Sequence, residues 1–525
     1  MRRTFLSALA TAALLPIALV TTTASASTTS GTLTVTTYDR TGAKVAAKLY
    51  LVDVATNQQY TATGNKAKSL HKGTYAVVTD IWTAGNQTDT LGARVIKVSG
   101  KTTTTIDARS GKALRVTLSK TPGQEYQPEL RAQICAAPDS VTEVGAWNVP
   151  GKLFVIPNSS KHLQFAYAAS WQNSTTNDAY VVAGSTKSTV PTGLSHTYQT
   201  ASLATVTGAL KSGPSAGDSA ELRLTERTAC KAGYGSLFYS GPMPATATVH
   251  ASPGSWDLEA DWTAVQKNGE TAFIGFLPRT VKLAAGKSYH QSFFTSAWGP
   301  ARNLPTVGAA KIGFDTSSMF TDPGAGTWGG EGSQRSKVTL YDAKHKVIKS
   351  QWRSDWADGE PWFSATAKAN GWYTLQVNAQ RYRPEQSYPA TLLSTKADAV
   401  FHLKADPKAA ERVADVIMPR LVPSGLTMSN SAQPGTNTVV VIRPDRHNPD
   451  NGLKFGSVKA KTATLLASFD SGKTWHAMPV KKVGGNWQAT VKNAGQTGYV
   501  YLRSRLTATN GQWVEVTDYR AYRLG

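Results

Sequence analysis

The chain has 525 residues, of which only 17% are charged, and carries 44 Gly, 25 Pro and a formal charge of +22 from 56 basic against 34 acidic side chains. That length exceeds one domain and predicts three or four at about 150 residues each. Beyond the first 20 residues no stretch approaches the ~18 apolar residues of a membrane-spanning helix. Long helical periodicity is missing, and turn residues recur between runs rich in Thr, Val and Tyr, so an all-β fold is predicted.

Residues 1–26 have the form of a secretory signal peptide. Arg2-Arg3 precede an apolar run from Phe5 to Val20, and Ala24-Ser25-Ala26 offers a small-residue cleavage site. The expectation is a secreted, extracellular protein starting near Ser27, exported by the general or the twin-arginine route. Cys135 and Cys230 are the two cysteines. In an oxidising compartment they are expected to form one disulfide, since neither belongs to a C-x-x-C pair or a nucleophile signature.

The first module is predicted over 31–120. Gly31 to Tyr38 alternates apolar and polar residues, Asp39–Gly42 reads as a turn, and Gly73-Thr74-Tyr75-Ala76-Val77 has a Gly-x-Tyr-x-Val strand pattern. That pattern resembles the small β-sandwiches of transthyretin-like modules. Residues 125–330 are expected to form one or two larger sandwiches containing the disulfide, with strands near Lys152–Ile156, Leu163–Tyr167, Ala179–Val182, Ala220–Leu224, Ala245–Val249 and Ser255–Ala260. The glycine-rich run 322–332 reads as a loop or junction. A third sandwich is expected over 336–404, and an immunoglobulin-like module over 437–525. The predicted fold class is therefore a string of antiparallel β-sandwich modules.

The final module contains Ser468-Phe469-Asp470-Ser471-Gly472-Lys473-Thr474-Trp475, the spacing of an Asp-box. Ser468 and Asp470 are expected to bond the turn backbone, Gly472 to supply a positive φ, and Trp475 to open the return strand. Trp475 and Trp487 are expected to form a cross-strand core pair across Gly484-Gly485.

Read in order, several segments resemble the non-catalytic C-terminal region of large secreted subtilisin-like serine peptidases of actinobacteria. They include Ile106-Asp107-Ala108-Arg109, Ser252-Pro253-Gly254-Ser255-Trp256, Trp298-Gly299-Pro300, the Asp-box, and the ending Arg520-Ala521-Tyr522-Arg523-Leu524. The resemblance spans most of the chain and is strongest after about 440. It implies an accessory scaffold. The peptidases carry their catalytic domain ahead of this region, and no H-G-T-H or G-T-S-x-A segment occurs here, so no catalytic residue is carried over.

Other chemistry is sparse. Gly217-Asp218-Ser219-Ala220 is superficially protease-like but lacks the second Gly of an oxyanion turn. The nine histidines show no H-x-H or H-E-x-x-H zinc spacing. The best binding candidate is Trp352 to Trp362, where Trp352, Trp356 and Trp362 could stack sugar rings and Asp355, Asp358 and Glu360 could accept hydroxyls. The same carboxylates are candidates for Ca²⁺, although no cofactor is otherwise indicated. The bland alternative is that these indoles seat a loop on its sandwich. Basic residues outnumber acidic ones 13 to 5 in both 31–120 and 431–525. A polyanionic wall polymer is thus one expected partner class, with no nucleic-acid motif present. The reading is a non-enzymatic adhesion protein binding a protein, a cell-wall glycan or a partner peptidase. The alternative is a hydrolase with an unrecognised site in 125–330.

Overall fold

The computed structural model describes residues 30–136, 143–215, 217–227, 230, 235–300, 304–317, 319–324, 330–331, 334–355, 359–446, 453–454 and 456–525. Residues 1–26, expected from sequence to be a signal peptide, lie outside them. The chain is all-β, with sheets packed face to face and two single-turn 3₁₀ segments, Ala108–Ser110 and Thr200–Ser202. Strand formation follows the alternation of the sequence. In Ser30–Tyr38, Leu33 and Val35 are buried while Thr32, Thr34 and Thr36 point outward.

Four layers stack through the first 300 residues. A three-stranded sheet built on Ser30–Tyr38 packs against a six-stranded sheet around a core of Leu33, Val35, Leu51, Tyr75, Val77 and Ile81. Gly73–Thr83 lies centrally in the six-stranded sheet and is buried on both faces. Its second face, with Ala76 and Val78, packs on Leu130, Ala132, Ile134 and Phe165 of a seven-stranded sheet. The far side of that sheet, including Val181, Val206 and Val249, meets the five-stranded sheet carrying Leu222, Trp256, Leu258 and Trp262. Cys135 and Cys230 are disulfide-bonded at a Cα separation of 5.8 Å. The bond ties Gln127–Ala136 of the seven-stranded sheet to the connection between Ser219–Glu226 and Ser236–Pro242 of its neighbour.

Two sequence boundaries are corrected. Leu153–Val155, placed with the second region, instead joins the first module's sheet, parallel to Thr88–Val98 and antiparallel to Lys112–Ala113. Arg115–Leu118, placed with the first module, pairs with Ser195–Tyr198. The two regions thus exchange strands and share one core. Likewise, 336–404 and 437–525 are not separate sandwiches. Lys396–Ala405 pairs with Trp513–Leu524, fusing both into one nine-stranded sheet. One half of that sheet's inner face packs on a four-stranded sheet through Phe314, Phe363, Val377 and Phe401. The other half packs on Met418–Pro423 and its partners through Leu421, Ile442, Trp487 and Leu502. Not all pairing is antiparallel: Ser30–Tyr38 with Lys101–Asp107 and Ala204–Leu210 with Ser288–Phe293 run parallel.

A buried ionic cluster joins the halves of the chain. Arg420 is fully enclosed and donates to Asp445 at 3.2 Å, to Thr321 Oγ1 at 3.4 Å and to the Asp322 carbonyl at 2.5 Å. Burial holds the nearby Asp518 carboxyl well above the usual carboxylate range, with the Arg420 charge opposing it.

Candidate functional site

Where the six- and seven-stranded sheets diverge at one end of their shared core, a cleft of about 710 Å³ opens. Gly73–Thr83 contributes Asp80 and Trp82, two residues apart and so on the same face as the buried Val78. The adjacent Thr88–Val98 contributes Asp89, directly opposite Trp82 in the register. From the seven-stranded sheet come Gln127, Glu129, Trp147 and Asn148. Trp147 lies on Glu143–Asn148, an edge strand whose Val144 and Ala146 face the core shared with the six-stranded sheet, so its indole projects from the opposite face, away from Asp80 and Trp82, and is 72% exposed at the rim of the cleft. Trp82 is 49% exposed.

The polar groups of this cleft have separate environments. Burial, reinforced by the Asp89 charge, pushes the Asp80 carboxyl up to about 7, and its Oδ1 is enclosed without a hydrogen-bond partner. Asp89 is also raised by burial, against the opposing hydrogen bond from Asn148 Nδ2 at 2.8 Å. Glu129 is paired with Arg131 at 2.6 Å. An open, partly apolar cleft with exposed indoles and a few placed polar groups has the size and make-up of a small-ligand site.

The segment expected from sequence to bind is arranged differently. Trp356 and Asp358 lie outside the described residues. Trp352 is 45% exposed, with the Arg335 guanidinium 4.3 Å over its ring. Trp362 is 41% exposed and belongs to Trp362–Thr366 of the four-stranded sheet, whereas Trp352 belongs to the nine-stranded one. Asp355 accepts from the Gln334 backbone N–H at 2.9 Å, and Glu360 from Arg353 at 3.1 Å. These carboxylates hold loop and strand ends together. Among the described residues no group of three or more His, Cys, Asp or Glu is placed to share a metal ion.

In the Asp-box, Ser468 Oγ donates to Asp470 Oδ1 at 2.8 Å and accepts from the Gly472 N–H at 2.9 Å. Asp470 also accepts from the Thr474 backbone at 2.9 Å and from its hydroxyl at 2.6 Å. Those bonds, that from the Thr474 hydroxyl foremost, hold its carboxyl well below the ordinary range. Gly472 has φ +85°. Trp475 does not pair with Trp487. It stacks under Arg503 at 4.2 Å, while Trp487 is buried in the facing sheet. Trp475 immediately precedes His476–Met478 of the nine-stranded sheet and Trp487 lies on Asn486–Lys492 of the facing four-stranded sheet, so the two are not cross-strand neighbours. In the protease-like tetrad, Ser219 Oγ bonds Thr263 Oγ1 at 2.9 Å and Asp218 accepts from the Val265 N–H at 2.9 Å, both contacts fastening the start of Ser219–Glu226 to the end of its neighbour Gly254–Val265.

Sequence reasoning missed the cleft. Strand alternation alone would have placed Asp80 with Trp82 and turned Trp147 away from Val144 and Ala146. No local pattern would have brought those segments together.

No protein-family model matches the chain, and no curated protein matches it. Solved structures that align with this chain include the FN1–FN3 domains of chicken CNTN1, at 9% identity over 60% of this chain and 96% of that one, TM-score 0.15. A tetra-tandem repeat from the extending region of a large adhesion protein aligns at 11% identity over 72% of this chain and all of that one, TM-score 0.13. Salmonella alpha-2-macroglobulin reacted with methylamine aligns at 10% identity over 91% of this chain and 37% of that one, TM-score 0.16. At such scores these likenesses carry no functional argument.

Proposed function

We propose that this chain is an extracellular, non-catalytic binding protein, related to the accessory regions of subtilisin-like peptidases, whose cleft between the first two sandwiches holds a saccharide of the cell wall. The observation that carries this reading is an exposed indole at each rim of one cleft, Trp82 on the six-stranded sheet and Trp147 on the outer face of the edge strand, together with amide and carboxyl groups. Indoles cover the C–H faces of sugar rings, and side-chain amides and carboxyls accept and donate to hydroxyls. The disulfide and the apolar leader support an exported protein. The excess of basic residues at both ends of the chain gives a second, weaker attraction to anionic wall polymers.

Co-sedimentation with purified cell-wall polysaccharide tests the reading. Wild type is expected to pellet, and Trp147→Ala, a substitution at an exposed position, to lose at least about tenfold in affinity, which is a stacking contribution of about 1.4 kcal/mol. Equal retention of the variant would remove the cleft from the account. Binding abolished by 0.5 M salt in both proteins would instead assign it to the basic surfaces.

One observation favours a hydrolase at a place other than the 125–330 region expected from sequence: Asp80, raised to about 7, lies beside Asp89 in the same cleft, the kind of environment that suits a general acid. Release of reducing ends from wall polysaccharide, lost in Asp80→Asn, would establish it in place of the binding reading.

A further inference from the structure

The nine-stranded sheet has one face on the core and one turned outward. Along five adjacent strands, Gln334–Tyr341, Gly371–Arg381, Lys396–Ala405, Trp513–Leu524 and Gly498–Ala508, the inward residues include Val338, Leu375, Phe401, Val516 and Leu502. The residues between them project from the other side. They include Arg335, Lys337, Lys396, Lys404, Arg503 and Arg505, whereas the acidic ones are Asp398 and Glu515. Both acids are engaged: Asp398 accepts from the Tyr519 hydroxyl at 2.7 Å, and Glu515 pairs with Arg505 at 2.9 Å. Lys337, Lys396, Lys404 and Arg503 have no carboxylate partner among the described residues. Several of the cations are held in place by rings. Lys404 Nζ lies 4.7 Å over Trp372, Trp372 stacks on His402 at 4.6 Å, His402 on Trp513 at 5.2 Å, and the Arg505 guanidinium lies 4.0 Å over Trp513. Beside this stack Arg503 covers Trp475 and donates from Nε to Thr517 Oγ1 at 3.1 Å, so its terminal nitrogens remain available. Burial foremost, then the charges of His345 and Arg505, hold the His402 imidazole below its ordinary range, the two charges marking a positive local field.

We infer that this outward face docks a linear phosphodiester polymer, a chain of polyol phosphates of the cell wall, across the strands that carry Lys337, Lys396, Lys404 and Arg503. This rests on the reading of the chain as extracellular and not on the cleft. Charge complementarity selects a polyanion, because the cations outnumber the acids and the acids are already bonded. Cations laid against rings lose little freedom on binding, and the guanidinium fork matches phosphate oxygens. The faces of Trp372 and Trp513 are taken up by His402, Lys404 and Arg505, so the stack leaves neither indole open to a sugar ring. A uronic-acid chain therefore gains nothing here from its rings. A flexible polyol phosphate brings one charge per unit and bends to reach each cation. The saccharide of the cleft and the polyanion of this face are separate ligands.

The test is calorimetric titration of the purified full chain at neutral pH and about 0.05 M salt. The probes are a glycerol-phosphate oligomer of about ten units, long enough to cross several strands, and an oligogalacturonate of equal charge. The phosphate oligomer is expected to bind at least about threefold more tightly and to be released at about 0.5 M salt. Lys404→Gln with Arg503→Gln, and separately Lys337→Gln with Lys396→Gln, are each expected to weaken it at least about fivefold. Lys66→Gln with Lys101→Gln, exposed positions of the first module, remove the same charge elsewhere and should leave affinity within about 1.5-fold. Melting curves establish that each variant is folded, and two pairs on the face keep the test open should one fail. Equal losses in the first-module control would assign binding to overall charge and overturn the inference. Galacturonate binding as tightly as the phosphate oligomer would also overturn it, as would no binding of either probe. Trp147→Ala is expected to leave phosphate binding unchanged, so failure here leaves the saccharide cleft standing, and loss of phosphate binding in that variant would overturn the separate face.

Discussion

Asp80 couples the cleft to stability as well as to binding. Its carboxyl titrates near 7 in the folded chain against an ordinary value of 3.8 when unfolded, because burial and the Asp89 charge both disfavour the ionised form. Between those values the folded state binds the proton more tightly, so stability is greatest below about 4 and falls as pH rises towards 7. Above that it changes no further on this account. Asp80→Asn removes the titration. The variant is therefore expected to melt above wild type at pH 8, by the equivalent of on the order of a few kcal/mol, and to converge on it only at about pH 4 and below. A difference independent of pH between 5 and 8 would show that Asp80 is not held protonated. Of the groups around it, the Asp89 charge adds to the shift and a hydrogen bond from the Ile81 backbone opposes it.

Among the elements, the strand Gln127–Ala136 does the most. Its core face packs Leu130, Ala132 and Ile134 against the first sandwich, its first residues border the cleft, and Cys135 anchors it to the next layer. The disulfide closes a span of 95 residues, for which chain-entropy reasoning gives about 4–5 kcal/mol. Replacing both cysteines by Ala is expected to lower the melting temperature by several degrees and to raise the protease sensitivity of the 219–242 hairpin. An unchanged melting temperature would mean that the layers are held by their apolar contacts alone. Much at this scale was legible in the sequence, because a strand's period is local: Gly371–Arg381, Leu163–Asn173 and Ala245–Ala251 follow directly from alternating residues. The Asp-box was legible for the same reason, all of its bonds falling within eight residues. Leu153–Val155 and Arg115–Leu118 were assigned to the wrong sandwiches because three or four apolar residues fit either sheet, and only long-range pairing decides between them. The Trp352–Trp362 segment misled in the opposite direction. Its indoles are close in sequence but lie on different sheets, and two of its carboxylates are used structurally.

At the scale of the whole molecule, shared sheets and shared cores replace the expected string of independent modules. Strand exchange welds the first two regions, the Lys396–Ala405 to Trp513–Leu524 pairing welds the last two, and the Arg420 cluster joins the halves. Breaking one partner of such a buried ionic cluster strands the others, so it fixes relative position more than it adds net stability. A cleft formed by two sheets keeps its shape only if the sheets cannot slide, and here the continuous core of Val78, Leu91, Leu130 and Ala146 behind it prevents that. The central claim is therefore spatial: saccharide binding occurs where the first two sandwiches diverge, and not on the tryptophan-rich segment of the nine-stranded sheet. Hydrogen exchange of the full chain with and without saturating soluble cell-wall polysaccharide fragments tests this most directly. Protection confined to 80–89, 127–130 and 145–149 is the expected result, and protection centred on 350–362 with none at those positions would contradict the account.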